Sequence, residues 1–257
     1  MNHSEITKHI TDWLINYANK SGSKGFVVGV SGGVDSALTS TLGALTNLPV
    51  IPLSLPINQE ASQHSRSLDH IDWLEEKFNN IKPYTIDLTD SFNSLVEAFP
   101  SCVNKLALAN TASRLRMTAI YSIANTHNYL VLGTGNKVED YGIGFFTKYG
   151  DGGVDLSPIA DLTKNQVYSL AKELDILEDI LAAPPTDGLW DDNRTDEDQI
   201  GASYDELEWA LNYYDIHKGD YSNLSLRQKE VLDLYTARHL NTKHKLLPPP
   251  TCLIPNS

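Results

Sequence analysis

Residues 31 to 36 read Ser-Gly-Gly-Val-Asp-Ser, two glycines and two hydroxyls around one carboxylate. The apolar run Phe26 to Val30 precedes them, and a helix-forming run, Ser36 to Leu45, follows. A tight turn between strand and helix can aim several backbone N–H groups at one point, where the helix adds the positive end of its dipole. Gly32 and Gly33 carry no Cβ to hold a ligand off that backbone. The geometry suits an anion. An ordinary strand-to-helix turn would use the same glycines for φ > 0, and spacing alone leaves both readings open. The chain contains neither GxxxxGK[ST] nor GxGxxG, so this is not a Walker A loop. Ser31 and Ser36 would offer hydroxyls to a pyrophosphate, and Asp35 is the hard oxygen ligand that Mg²⁺ takes. Magnesium uses one or two carboxylates, so the second should come from another strand end. Glu139, five residues past Thr134, is the best placed, with Asp140 beside it. Asp35 alone reads equally well as a helix-start carboxylate favoured by the dipole.

These residues need a frame to hold them. Ile6, Ile10, Leu14 and Tyr17 share one face of an opening helix. Strands are expected at 26–30, 50–56, 84–87 and 129–134, and helices at 36–46, 59–79, 89–97 and 101–127. This alternation predicts an α/β fold, a doubly wound and mainly parallel sheet flanked by helices, with ligands at the carboxyl ends of its strands. Both SGGVDS and GTGNKVED begin where a strand stops, so they should face one crevice. After residue 145 the pattern changes. A Gly-rich segment leads into a helix over 162–176, then a long acidic stretch at 183–201, then helices over 203–214 and 225–240. The sequence therefore predicts a single domain over 1–257 with a helical C-terminal region.

Composition narrows the partners. A net charge of −13 argues against a non-specific grip on nucleic acid, which needs clustered Lys and Arg. No run approaches the length of a membrane span, and the first residues lack the apolar core of a signal peptide. Cys102 and Cys252 lie far apart, so free thiols in a cytoplasmic setting are expected. The eight His and two Cys form no ligand spacing for zinc.

The loop resembles the signature of the N-type ATP pyrophosphatases, which cleave ATP to AMP and pyrophosphate. Further segments narrow the likeness: ASRLRM (112–117), GTGNKVE (133–139), GFFTKYGDGGVDLSPIADLTK (144–164), PPTDGLWD (184–191), DEDQIGASYDE (196–206) and HK (244–245). In that order and spacing they are similar to the ammonia-dependent NAD synthetases. The resemblance implies a Rossmann-like fold of the adenine nucleotide alpha hydrolase type. It also implies ATP-dependent amidation of deamido-NAD with ammonia through an acyl adenylate, in a homodimer whose sites are shared across the interface. No glutaminase domain is expected, because the synthetase pattern begins almost at the first residue.

The resemblance also implies residue roles. Gly29, Val30, Ser31, Gly32, Gly33, Val34, Asp35 and Ser36 would bind the phosphates of ATP. Thr134, Lys164 and Thr186 would contact ATP as well, and Asp35 with Glu139 would hold Mg²⁺. Arg114, Lys148, Asp155, His244 and Lys245 would bind deamido-NAD. Asp151, Lys164 and Ser31 would serve the chemistry, Asp151 near the ammonia. Two departures stand out: GTGNK replaces the GTDHA of many members, and the stretch from Glu139 to Phe146 is one residue longer. Read without the family, Lys148 and Lys164 are solvated lysines, Arg114 is a surface cation, and Asp151 and Asp155 are turn formers. Rival functions are another amide-forming or thiolating ATP pyrophosphatase, a nucleotide sensor without catalysis and, most remotely, a plain interaction protein. A tRNA-modifying pyrophosphatase should show a basic face or metal-binding cysteines.

Overall fold

In a computed structural model, the apolar runs become four parallel strands in the order β3-β2-β1-β4. They are β1 (Phe26–Gly29), β2 (Val50–Ser54), β3 (Tyr84–Thr85) and β4 (Leu130–Leu132). The structure describes residues 1–185, 195–217 and 221–254. Phe26 lies opposite Val50 on one side and Leu130 on the other, so β1 is central. Successive strand residues point to opposite faces. Phe26 and Val28 join a cluster with Leu14, Leu38, Leu42 and Leu170, while Val27 joins Met117, Ile120 and Val131. A strand buried on both faces has to be apolar throughout, and this one is.

The helices on the first face are α1 (His3–Ser21), α2 (Val34–Ala44), α6 (Lys164–Glu173) and α7 (Glu178–Leu181). On the same face α3 (Ala61–Lys77) packs beside α2, with His70 bonded to Ser40, while α4 (Thr89–Ala98) and α5 (Lys105–His127) cover the other face. The α/β alternation read from the sequence is the observed architecture. A third cluster, built on Val138, Ile143, Leu207, Leu211 and Tyr235, holds α9 (Tyr204–His217) and α10 (Leu226–Leu246) together. The short α8 (Asp196–Ile200) lies within the acidic stretch. Local signals set the helix starts. Asn2 with Glu5, Thr163 with Gln166, and Ser225 with Gln228 each form a reciprocal capping box.

Three differences from the sequence reading bear on the site, while the other element ends shift by a few residues. First, α2 begins at Val34, which puts Asp35 and Ser36 inside its first turn. Second, α10 runs on to Leu246 and carries His244 and Lys245 on the helix. Third, Lys137–Gly142 form a π-helical turn, in which the Ile143 N–H donates to the Val138 carbonyl five residues back at 3.1 Å. A π turn takes one residue more than an α turn. Strand order reverses between β1 and β4, so the crevice opens beyond their carboxyl ends.

Candidate active site

The SGGVDS loop leaves β1 and is braced from inside. The Ser36 hydroxyl donates to the Gly33 carbonyl at 2.9 Å and accepts the Ser31 N–H at 3.1 Å. Gly33 donates its N–H to the Ser31 hydroxyl at 3.3 Å. Gly32 has φ +88, and a Cβ there would stand 2.6 Å from the Gln63 carbonyl oxygen, so α3 closes on the loop only over a glycine. Ser31 and Gly33 are exposed, while Gly32, Val34 and Ser36 are buried. The Val30 N–H and carbonyl are both taken, by Leu53 and by the Ser67 hydroxyl, and Gly29 closes the strand. Val30 therefore anchors the loop, and Ser31 and Gly33 face outward.

The crevice between β1 and β4 holds a buried ion cluster. Thr163 caps α6 and so places Lys164 at its first position, where its ammonium points inward. Lys164 Nζ donates to Asp35 Oδ2 at 2.6 Å and to Glu139 Oε1 at 2.9 Å. The lysine is 3% exposed. Asn136, fully buried, donates to Asp35 Oδ1 at 3.2 Å while its own oxygen accepts the Val138 and Glu139 N–H groups. One amide thus starts the π turn and orients Asp35. The Tyr204 hydroxyl donates to Glu139 Oε1 at 2.5 Å, and the Lys164 ammonium lies 5.0 Å from the Tyr204 ring centre.

Burial opposes charge on Lys164, yet Asp35 and Glu139 together push its pKa upward, so it stays an ammonium. Burial would raise Glu139 too, but Lys164 and the Tyr204 hydroxyl outweigh it and hold the carboxylate ionised. For Asp35 burial wins against Lys164 and the direction is up. Asp140 is raised well above the usual range, by burial and by the nearby Asp151, Glu139 and Asp35 carboxylates. Its carboxyl fills the space where a Cβ on residue 135 would stand, which is why GTGNK carries a glycine there.

Beside the cluster, Asp151 Oδ1 accepts the Ser113 hydroxyl at 2.6 Å and the Thr147 N–H at 3.1 Å. These bonds fasten the KYGDGG turn to α5. Arg114 Nε donates to the Lys148 carbonyl at 3.2 Å, and Lys148 Nζ donates to the His244 carbonyl at 2.8 Å. Lys245 Nζ bridges the Gly144 and Phe146 carbonyls, each at 2.8 Å, and partial burial lowers its pKa. Arg114, Lys148 and Lys245 line a cavity of about 700 Å³ with Tyr121, Tyr149 and the Leu246–Pro249 turn. Asp155 stands behind that wall. It accepts the Tyr121 hydroxyl at 3.0 Å and the Val131 N–H at 2.8 Å. His244 is outside the cavity lining, with Nδ1 at 3.0 Å from the Asn241 carbonyl oxygen. Thr134 sits at the end of β4, partly buried, and Thr186 lies outside the described residues.

The structure thus brings Asp35, Glu139 and Lys164 into direct contact and gathers Arg114, Lys148 and Lys245 around one cavity. The sequence reading assigned no role to Asn136 or Tyr204. The asparagine two residues before Val138 is a turn-capping signal; the tyrosine carries none.

Comparison with known proteins follows the same lines. A family model described as NAD synthase matches residues 6–249. The NH(3)-dependent NAD(+) synthetase of Mycoplasma genitalium is 39% identical over 234 residues, covering 88% of each chain. An NMN synthetase from Francisella tularensis superposes with a TM-score of 0.84 at 32% identity over 100% of both chains. An NH3-dependent NAD synthetase from Campylobacter jejuni superposes with a TM-score of 0.80 at 25% identity, covering 98% of this chain and 100% of that one.

Proposed function

The chain belongs to the NAD synthase family, and on that premise we propose that its β1–β4 crevice joins ammonia to the carboxyl of deamido-NAD with ATP as co-substrate. The chain is a ligase that forms a C–N bond, and its product is NAD. The observation that carries the assignment to this crevice is the Lys164 ammonium held between Asp35 and Glu139 beside an outward-facing anion loop.

Each group then has a task. A carboxylate is a poor acyl donor, because its leaving group would be oxide. Its oxygen attacks the α-phosphorus of ATP, pyrophosphate leaves, and an acyl adenylate results. Ammonia adds to that carbonyl and AMP departs. The exposed backbone of Ser31 and Gly33 and the first turn of α2 receive the pyrophosphate, with Thr134 and Thr186 as further contacts of the nucleotide. Asp35 and Glu139 suit Mg²⁺: both are hard oxygen donors, and a protein ammonium stands between them as a stand-in cation. Bound there, Mg²⁺ would offset the charge of the departing pyrophosphate. Lys164, released from the carboxylates, reaches the phosphates as a second cation. Arg114, Lys148 and Lys245 hold deamido-NAD in the 700 Å³ cavity, with Asp155 and His244 supporting its walls. Asp151 contributes negative charge that draws ammonium toward the carbonyl.

The working unit is a homodimer in the cytoplasm, where the exposed thiols of Cys102 and Cys252 stay unpaired. The helix α5, with apolar residues on more than one face, forms part of the dimer contact. Among the described residues no helix is long and apolar enough to cross a membrane.

A second reading rests on the likeness to the NMN synthetase: the mononucleotide acid in place of deamido-NAD. One assay decides between them. The purified protein receives ATP, Mg²⁺ and ammonium with either acid, and kcat/KM is compared. Deamido-NAD should be the better substrate. Preference for the mononucleotide assigns the second reading, and turnover of neither overturns both.

A further inference from the structure

Tyr204 opens α9, in the helical region that follows the sheet, yet its hydroxyl ends inside the ion cluster. It is 7% exposed, its backbone N–H is held by Glu197 Oε1 at 2.7 Å, and Asp196 Oδ2 lies 3.4 Å from its hydroxyl. Both the Tyr204 hydroxyl and the Lys164 ammonium donate to the same atom, Glu139 Oε1. These two donors answer to different events. The ammonium has to leave its carboxylates if a divalent cation takes its place, whereas the phenol is fixed by the packing of α9. From this arrangement we infer that Tyr204 is a positioning residue, which keeps the Glu139 carboxylate in its metal-binding orientation while Lys164 exchanges for the metal.

The inference rests on the carboxylate-pair reading above and adds the residue that preorganises it. A hydrogen bond to a ligating carboxylate fixes its rotamer, so metal binding need not order it anew. Tyr204 also ties the crevice to α8, within the acidic stretch, and to α9 after it, through Glu197. The hydroxyl that reaches Glu139 thus belongs to a residue whose backbone N–H is held by α8.

The test uses Tyr204→Phe, which keeps the ring against Lys164 and removes only the hydroxyl. Mn²⁺ binding to the metal-free protein is followed by electron paramagnetic resonance, without ATP, for wild type, Tyr204→Phe and Glu139→Gln. Melting temperatures without metal are measured alongside. Loss of such an outer hydrogen bond weakens metal binding roughly 10-fold to 100-fold, so Tyr204→Phe should bind Mn²⁺ about tenfold more weakly or worse. The KM for deamido-NAD should stay near the wild-type value. Wild-type Mn²⁺ affinity in Tyr204→Phe, whatever its melting temperature, overturns the positioning role while leaving the carboxylate pair standing. If Glu139→Gln also binds Mn²⁺ like wild type, the carboxylate pair itself is wrong and the role of Tyr204 falls with it.

Discussion

At Glu139 three demands meet in one carboxylate: ionisation in a buried setting, a fixed orientation, and release from Lys164 when a metal arrives. Replacing Glu139 by Gln, or Asp35 by Asn, should lower kcat/KM by about 100-fold or more, measured as AMP formation, because a fixed charge at the developing pyrophosphate is lost. Lys164 yields a sharper prediction. Removing one partner of a buried ion cluster leaves charges uncompensated, at a cost of about 3–5 kcal/mol. Lys164→Met should therefore melt lower than wild type without metal and recover on adding Mn²⁺. It should also bind Mn²⁺ more tightly than wild type in the absence of ATP, since nothing competes for the carboxylates. Weaker Mn²⁺ binding by this variant would show that the ammonium helps the metal instead of standing in its place. The two carboxylates were legible because each lies just past a strand, whereas Lys164 came into view only through the family resemblance and by itself reads as a solvated lysine. Tyr204 was not legible, since it stands 65 residues from Glu139 and no spacing rule links an α9 hydroxyl to a β4 turn.

Between α2 and α3 the fold encloses His70, fully buried, sharing a hydrogen bond of 2.9 Å with the Ser40 hydroxyl and stacked on Trp73. Burial lowers its pKa from 6.5 to about 4. The folded protein thus takes up its proton later than the unfolded chain does. His70 contributes stability above pH 6.5 that is lost as pH falls from 6.5 toward 4. Urea unfolding should give a lower free energy at pH 5 than at pH 7, by up to roughly 2 kcal/mol from this group. His70→Gln should flatten that difference; an unchanged slope would remove His70 as its source. The same two helices show what patterning can and cannot say. Strand and helix order was legible because β1, β2 and β4 are short apolar runs and helices such as α1 and α6 keep an apolar stripe. The first turn of α2 was placed two residues late, because Gly33 caps it without a side chain and leaves no signal. The π turn was not legible, since a π turn differs from an α turn only in backbone hydrogen-bond register, which leaves no side-chain spacing signal.

For the whole molecule, the cavity wall formed by Arg114, Lys148 and the end of α10 bears on assembly, because α5 carries Arg114 and forms part of the proposed dimer contact. If Arg114 serves the partner's site, mixing inactive Asp35→Ala with inactive Arg114→Ala gives mixed dimers with one intact site each. With equal amounts and random pairing, about a quarter of all sites should regain activity. No recovery, with subunit exchange shown by differently tagged chains, would return Arg114 to its own chain's site. The central claim, that the crevice activates a carboxylate at the α-phosphorus of ATP, has a more direct test. Deamido-NAD labelled with ¹⁸O in its carboxylate is converted with unlabelled ATP and ammonium, and the products are weighed by mass spectrometry. Attack at the α-phosphorus carries one carboxylate oxygen into AMP, so the AMP should be labelled and the pyrophosphate unlabelled. Label in inorganic phosphate together with ADP, or unlabelled AMP alongside NAD, would contradict the account.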